Sequence, residues 1–196
     1  IAKAVRYNTT KIFVMFMVLA FVLSMFIDSI TVILFLAAIT ITQGKLLKFD
    51  PIPVIIAEIF CSNLGGSSTM CGDPPNIIIG TALHYTFTDF LFNPGVIAIL
   101  SLVLMIFFFY LCFRKKLNTN NLSKEDIAKM PSPDSAITSK RSFIISCIIF
   151  LCAVVLLVTH GQTGLTVSTI GIIAAIATCA TAGKKAKHIL RRIDYP

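Results

Sequence analysis

The fold class this sequence predicts is an all-α polytopic membrane protein, built around a re-entrant helical hairpin and a broken membrane helix. Three observations predict it. Of the 196 residues, 56% are hydrophobic, none is Trp, and the mean hydropathy is +0.88, a composition far from that of soluble domains. The apolar residues fall in long runs, and every Lys and Arg lies at or beyond the ends of those runs. One polar, glycine-rich stretch, Ser62 to Asn76, interrupts apolar sequence where the chain is deep in the membrane.

Residues 1–10 form a short polar lead with Lys3 and Arg6, and the apolar run 11–43 follows with Ile27-Asp28-Ser29-Ile30-Thr31 near its centre. As one straight helix that run would measure ~50 Å, against a hydrocarbon core of ~30 Å. Folded at Asp28, its arms of ~22–24 Å barely cross, so the sequence predicts a hairpin that enters and leaves by one face with its polar tip at the midplane. Charge placement agrees. If run 11–43 returns to its starting side, segments 1–11, 44–50, 114–141 and 184–196 share one face and contain all 17 Lys and Arg, while 85–94 and 160–164 contain none. The positive-inside rule then makes the basic face cytoplasmic. A two-span hairpin gives the same count, so arm length alone separates the two arrangements.

The broken helix is predicted over 52–86. Ile52–Cys61 and Ile77–Thr86 would each form a half-helix of ~16 Å, and together they match the ~30 Å core. Backbone that leaves the helix at that depth is tolerated only where it is buried in protein or lines an aqueous cavity, because unpaired N–H and C=O groups cost several kcal/mol in lipid. Gly65, Gly66 and Gly72 allow close backbone approach, and Pro74 and Pro75 suit the first turn of the second half. Ser62, Asn63, Ser67, Ser68, Thr69 and Asn76 bring oxygens able to coordinate a hard cation or accept from freed amides, and Asp73 brings a charge. Half-helix termini facing such a break point to substrate and coupling-ion sites in secondary transporters. The bland reading is a turn between two short buried helices of a soluble domain, which the composition disfavours.

Beyond the break, Asp89 and Asn93-Pro94-Gly95 read as an outside turn and 96–113 as a full span ending in Arg114-Lys115-Lys116. Residues 114–141 read as a cytoplasmic linker, with a Ser-Lys-Glu-Asp helix-start signal at 123–126 and Pro131-Ser132-Pro133. Spans 142–159 and 165–183 follow, joined by the turn 160–164, and the basic segment from Lys184 is cytoplasmic. The organisation is therefore 1–113, the linker 114–141, and 142–196. A chain that opens at Ile1 directly into a membrane run, and stops at Asp194-Tyr195-Pro196 without a cap, reads as a segment of a longer protein.

Three carboxylates fall at membrane depth, where each costs about 2.5–3.5 kcal/mol on insertion scales: Asp28, Glu58 and Asp73. Glu58 precedes Ser62 by one helical turn on the same face and is the candidate for carrying a proton; its bland reading is a neutral acid hydrogen-bonded to a neighbour. His84, His160 and His188 sit near interfaces or in the basic tail and read as interfacial residues. The cysteines at 61, 71, 112, 147, 152 and 179 show no CxxC or Cys/His ligand spacing and read as reduced packing residues, so neither a cofactor nor a resident metal is expected. The net charge of +8 does not indicate nucleic acid, because the basic residues are dispersed at run ends rather than gathered on a patch interleaved with aromatics. An intramembrane aspartyl enzyme is disfavoured, since Met70 replaces a glycine of a Gly-x-Gly-Asp signature and Asp28 follows Ile27 rather than Tyr. A passive channel would need repeated polar faces, whereas 96–113 and 142–159 are nearly bare of polar groups.

Asp28-Ser29-Ile30-Thr31 at a hairpin tip, then Ser62-Asn63-Leu64-Gly65-Gly66 and Gly72-Asp73-Pro74-Pro75-Asn76, resembles the ion transporter superfamily. The nearest branch holds the arsenite permeases, the NhaD-type sodium/proton antiporters and the melanosomal P protein; citrate and dicarboxylate carriers are more distant. Ser29 stands where that branch usually has Asn. The resemblance implies part of an inverted-repeat transporter in the lipid bilayer: the later part of the first repeat, the central loop and the first two helices of the second. It implies a proton- or sodium-coupled secondary transporter of an inorganic ion such as arsenite or sodium, or alternatively a cation-coupled citrate or dicarboxylate carrier. Its implied ion-binding residues are Asp28, Ser29, Thr31, Ser62, Asn63, Gly65, Gly66, Thr69, Gly72, Asp73 and Asn76. The implied partners are the transported ion and its coupling proton or sodium, with a homodimer or a separate ATPase subunit as the assemblies left open.

Overall fold

A computed structural model describes residues 9–117 and 139–182, and the chain divides into two compact units, residues 1–130 and 131–196. The described residues form helices and their connections, with no strand among them. In the first unit these are α1 (Thr9–Ser24), α2 (Ser29–Leu47), α3 (Ile52–Ser67), α4 (Pro74–Ala82), α5 (Phe87–Phe92) and α6 (Pro94–Leu117). In the second they are α7 (Lys140–Val158), the single-turn α8 (His160–Thr163) and α9 (Val167–Ala182), with α7 packed on α9. Three stretches are long and apolar enough to cross a membrane, Ser29–Leu47, Phe87–Lys116 and Lys140–Val158, and shorter apolar helices accompany them. This is a polytopic membrane protein.

Helix α3 is the axis of the first unit, packed against α1, α2 and α6. Its buried residues are Pro53, Val54, Ala57, Glu58, Cys61, Ser62, Gly65 and Gly66, paired positions repeating every four residues. That spacing makes one continuous inner stripe, and its composition changes along the helix from apolar near Val54 to polar and small at the far end. The facing stripe of α1 carries Ile12, Phe13, Phe16, Met17, Ala20, Phe21 and Ser24. A Cβ on Gly65 would run into the Phe21 carbonyl oxygen, so the two backbones touch there, which small residues permit between membrane helices. Outward-facing Leu34, Phe35, Leu104 and Phe107 are well exposed, as expected of lipid-facing positions.

Several predicted boundaries move. Helix α2 runs four residues past the expected end at Gln43 and closes where Lys48, in the left-handed region, donates its N–H to Gly44. The short-arm argument for re-entrance therefore does not apply to α2, at ~28 Å, and α1 is described only from Thr9 onward. The break is narrower than Ser62–Asn76: α3 stays helical through Ser67, and only Ser68–Asp73 are irregular. Its halves are unequal, ~24 Å and ~14 Å, so the break lies off the centre of the α3–α4 pair. The predicted outside turn contains α5, set by a capping box in which Thr86 and Asp89 each bond the other's backbone N–H. The span expected at 96–113 starts at Pro94 and continues through Arg114, Lys115 and Lys116, and Lys140 and Arg141 open α7, so both edges of the expected linker are helical. The helix-start signal at 123–126, the basic segment 184–196, and Lys3 and Arg6 lie outside the described residues. The turn 160–164 is α8, ended by Gly164 at φ +69. All six cysteines are free thiols; Cys61 is buried, while Cys112, Cys147 and Cys152 are exposed on apolar helices.

Candidate functional site

The hairpin tip and the break meet. Residues 24–29 lie against residues 62–73, through hydrogen bonds between residues 33 to 44 positions apart in sequence. The Ser29 hydroxyl donates to Asp73 Oδ1 at 2.9 Å. The Thr69 hydroxyl donates to the Met25 carbonyl at 2.5 Å. The Ser62 hydroxyl lies 3.1 Å from both the Ser24 hydroxyl and the Ser29 carbonyl. Phe26 at the tip stacks on Phe87 of α5, ring centroids 6.2 Å apart, so α5 covers the tip with an aromatic contact.

Most of the polar residues in the break satisfy backbone. At the end of α3, Ser68 donates through both its N–H and its hydroxyl to the Gly65 carbonyl, and Ser67 Oγ donates to the Leu64 carbonyl. The Asn76 amide donates to the Gly66 and Thr69 carbonyls at 3.1 and 2.9 Å, tying α4 back onto α3. Gly72 N–H donates to Thr69 Oγ1 at 3.2 Å. These bonds meet the requirement that backbone freed within a bilayer be paired inside the protein. Ser67 and Ser68 are short enough to bond carbonyls of their own turn, while Thr69 and Asn76 bond carbonyls farther along the chain.

The two aspartates have different surroundings. Asp28 is the N-cap of α2, where its Oδ2 accepts from Thr31 N and Thr31 Oγ1 at 3.1 and 3.3 Å. Asp73 holds the equivalent place before α4, in extended backbone, but makes no cap bond to that helix. Its carboxylate turns instead toward Ser29 and lies against Gly66, where a Cβ would collide with both of its oxygens. A Cβ on Gly72 would likewise meet the Gly66 backbone and the Ser24 carbonyl. Gly66 and Gly72 therefore fix how closely the break folds on itself, and Gly65 serves the contact with α1.

Of the residues expected at an ion site, Ser29, Ser62, Gly66, Thr69, Gly72, Asp73 and Asn76 converge. Thr31 is exposed and belongs to the cap of α2; Asn63 is exposed, off the buried stripe of α3. Glu58 is fully buried one turn below Ser62 and accepts from Thr40 of α2 at 2.5 Å. Ser24 and Thr40 carry contacts that sequence reasoning missed. Ser24 stands one turn before Asp28, a polar residue closing an apolar helix, and that is the signal it left; Thr40 lies in the run Ile39-Thr40-Ile41-Thr42 and left none. No cluster of His, Cys, Asp and Glu able to hold a metal exists among the described residues.

Comparison with known proteins agrees with this architecture. Residues 1–196 match the family described as "Citrate transporter". An uncharacterized transporter of Mycobacterium tuberculosis is 30% identical over 105 residues, 54% of this chain and 24% of that protein. The magnetosome protein MamN of Paramagnetospirillum magneticum is 37% identical over 98 residues, covering 50% and 22%. The human P protein is 41% identical over 80 residues, covering 39% and 10%. The matched stretch is thus about a quarter or less of each of these relatives' length. No solved structure matches.

Proposed function

The chain belongs to the citrate transporter family, and from that premise we propose that it forms part of a proton- or sodium-coupled secondary active transporter whose ion site lies where the hairpin tip closes on the break. One observation carries this reading. Asp73 stands at the N-cap of α4 yet leaves that helix uncapped and reaches across to Ser29. A carboxylate held this way makes no cap hydrogen bond to α4 and is available, with Ser29 and the backbone around Gly66, to a cation.

Charge placement supports a cation at this site. No Lys or Arg occurs between Lys11 and Lys45 or between Lys48 and Arg114, whereas Asp28 and Asp73 do. A negatively charged interior favours a cation, or an anion that enters with one, over an unaccompanied anion. The first reading is transport of an inorganic ion such as sodium or arsenite. The second is a citrate-like carboxylate carried with coupling cations, and the family's description favours it. The arrangement in the bilayer follows the charges: the hairpin enters from the basic, cytoplasmic face. Asp50 between α2 and α3 pairs with Lys116 near the end of α6 at 3.8 Å, which sets those ends of the first unit side by side.

The test is uptake by the full-length protein in proteoliposomes, with sodium, arsenite or citrate offered in turn, with and without sodium and pH gradients. Uptake driven by a gradient identifies substrate and coupling ion together. Conduction of ions without any coupled substrate or counter-ion would assign a channel instead.

A further inference from the structure

A second polar contact lies buried in the first unit, apart from the meeting of tip and break. Glu58 and Thr40 are both fully buried, and the Thr40 hydroxyl donates to Glu58 Oε1. Glu58 Oε2 is buried with no hydrogen-bond partner. Among the described residues, the buried faces packed around α3 supply nothing to neutralise a charge there. On α1 they are Thr9, Ile12, Phe13, Phe16, Met17, Ala20, Phe21 and Ser24; on α2, Ser29, Val32, Leu36, Thr40, Gly44 and Leu47. From α6 come Ala98, Leu102 and Phe109, with Met105, Ile106 and Phe113 partly buried. None of these is titratable. On α3 itself Cys61 is the one other titratable side chain of the buried stripe.

An ionised carboxylate in such a place would be paired by one neutral hydroxyl, against a desolvation cost of several kcal/mol or more. A carboxylic acid with its proton on Oε2 meets no such cost. We propose that Glu58 and Thr40 form a proton-carrying joint between the second hairpin arm and the broken helix, separate from the ion site at Asp73. Protonated, the pair holds α2 on α3 with both side chains buried. When α2 and α3 part enough to admit water, Glu58 Oε2 gives its proton to a water molecule, and it takes one back from water as the helices close. The O–H bond on Oε2 is the only covalent bond that breaks and re-forms, and Thr40 stays the donor to Oε1. Because α2 carries the hairpin tip at its other end, with Ser29 on Asp73, the joint places proton occupancy and tip position on one helix. This inference rests on the transporter reading for its use, but the joint itself is testable without transport.

Cys61, fully buried one turn from Glu58 on the same stripe, is a native reporter of whether α2 and α3 separate. In the full-length protein, its rate of alkylation by a membrane-permeant maleimide, read from the labelled peptide by mass spectrometry, is compared with Glu58→Gln at each pH. A negative Glu58 repels a neighbouring thiolate and so slows alkylation, which means that a ratio rising with pH reports separation of the helices and not thiol ionisation. The expected ratio of wild type to Glu58→Gln rises as pH rises. In proteoliposomes Glu58→Gln, which keeps an acceptor for Thr40 but no titratable proton, flattens the pH profile of transport. Thr40→Val removes the donor that favours the ionised form and shifts that profile to higher pH by about one unit, a tenfold change in proton affinity. Wild-type pH dependence of both readouts in Glu58→Gln would overturn the joint and leave a structural hydrogen bond. If Glu58→Gln fails to fold, an unshifted profile in Thr40→Val overturns it equally. Retained gradient-driven transport in Asp73→Asn would sink the ion site at the break while leaving the Cys61 result to stand or fall by itself.

Discussion

Asp28 and Asp73 look alike in the sequence, each in a polar motif immediately before an apolar helix, and their environments separate them. Asp28 is engaged in capping α2 through Thr31. Asparagine is as good an N-cap as aspartate, so Asp28→Asn should keep both the fold and most of the transport rate, while Asp28→Ala should cost about 0.5–2 kcal/mol of helix stability. Thermal unfolding of the purified variants in detergent measures the difference. The glycines separate in the same way. A methyl group at Gly72 would meet the backbone of Gly66 and the Ser24 carbonyl, which cannot yield, whereas one at Gly80 would meet only the flexible side chain of Met70. Gly72→Ala should therefore destabilise the break by about 1–3 kcal/mol or more and abolish uptake. Gly80→Ala should cost under about 1 kcal/mol and leave uptake near wild type, because methionine re-packs easily. Equal uptake by the two variants would show that close approach at Gly72 is not required. The sequence contains these glycines but not their neighbours: which of Gly65, Gly66 and Gly72 touches α1, Asp73 or Ser24 depends on contacts across tens of residues.

The existence of the long helices, the hairpin and the break was legible, because each rests on a long run or on Gly and Pro punctuation within the chain. The limits of the break were not. Gly65 and Gly66 are poor helix formers, and the Ser67-Ser68 pair favours caps, so local propensity ends α3 near Cys61. Packing overrides it: Gly65 lets α3 close on α1, and the two serine side chains pay the last carbonyls, carrying the helix to Ser67. Helix α5 was unread because six residues are too few for a periodic signal, although the Thr86-Phe87-Thr88-Asp89 capping pattern was present. The hairpin gives the element-scale prediction. Ile30, exposed beside the tip, is a better reporter than the buried Ser29, so a cysteine at Ile30 should react with a membrane-impermeant thiol reagent from the cytoplasmic face alone. Labelling from the outer face alone would make α1 and α2 two full spans. The 19-residue length of α2 makes this the measurement that arm length no longer supplies.

For the whole chain, composition and the placement of charge established a multi-pass membrane protein, and the transporter family agrees with it. The identity of the substrate was not legible, since it depends on which groups surround the ion and not on the pattern that brings Ser29 to Asp73. The account rests on Asp73 holding a coupling ion rather than a helix end. The measurement that tests it most directly is gradient-driven uptake by full-length Asp73→Asn in proteoliposomes, beside Asp28→Asn as the control that keeps its cap. The account predicts that Asp73→Asn inserts and folds but loses the dependence of uptake on the sodium or proton gradient, while Asp28→Asn retains it. Undiminished gradient-driven uptake by Asp73→Asn would contradict the account and return Asp73 to a structural role in closing the break.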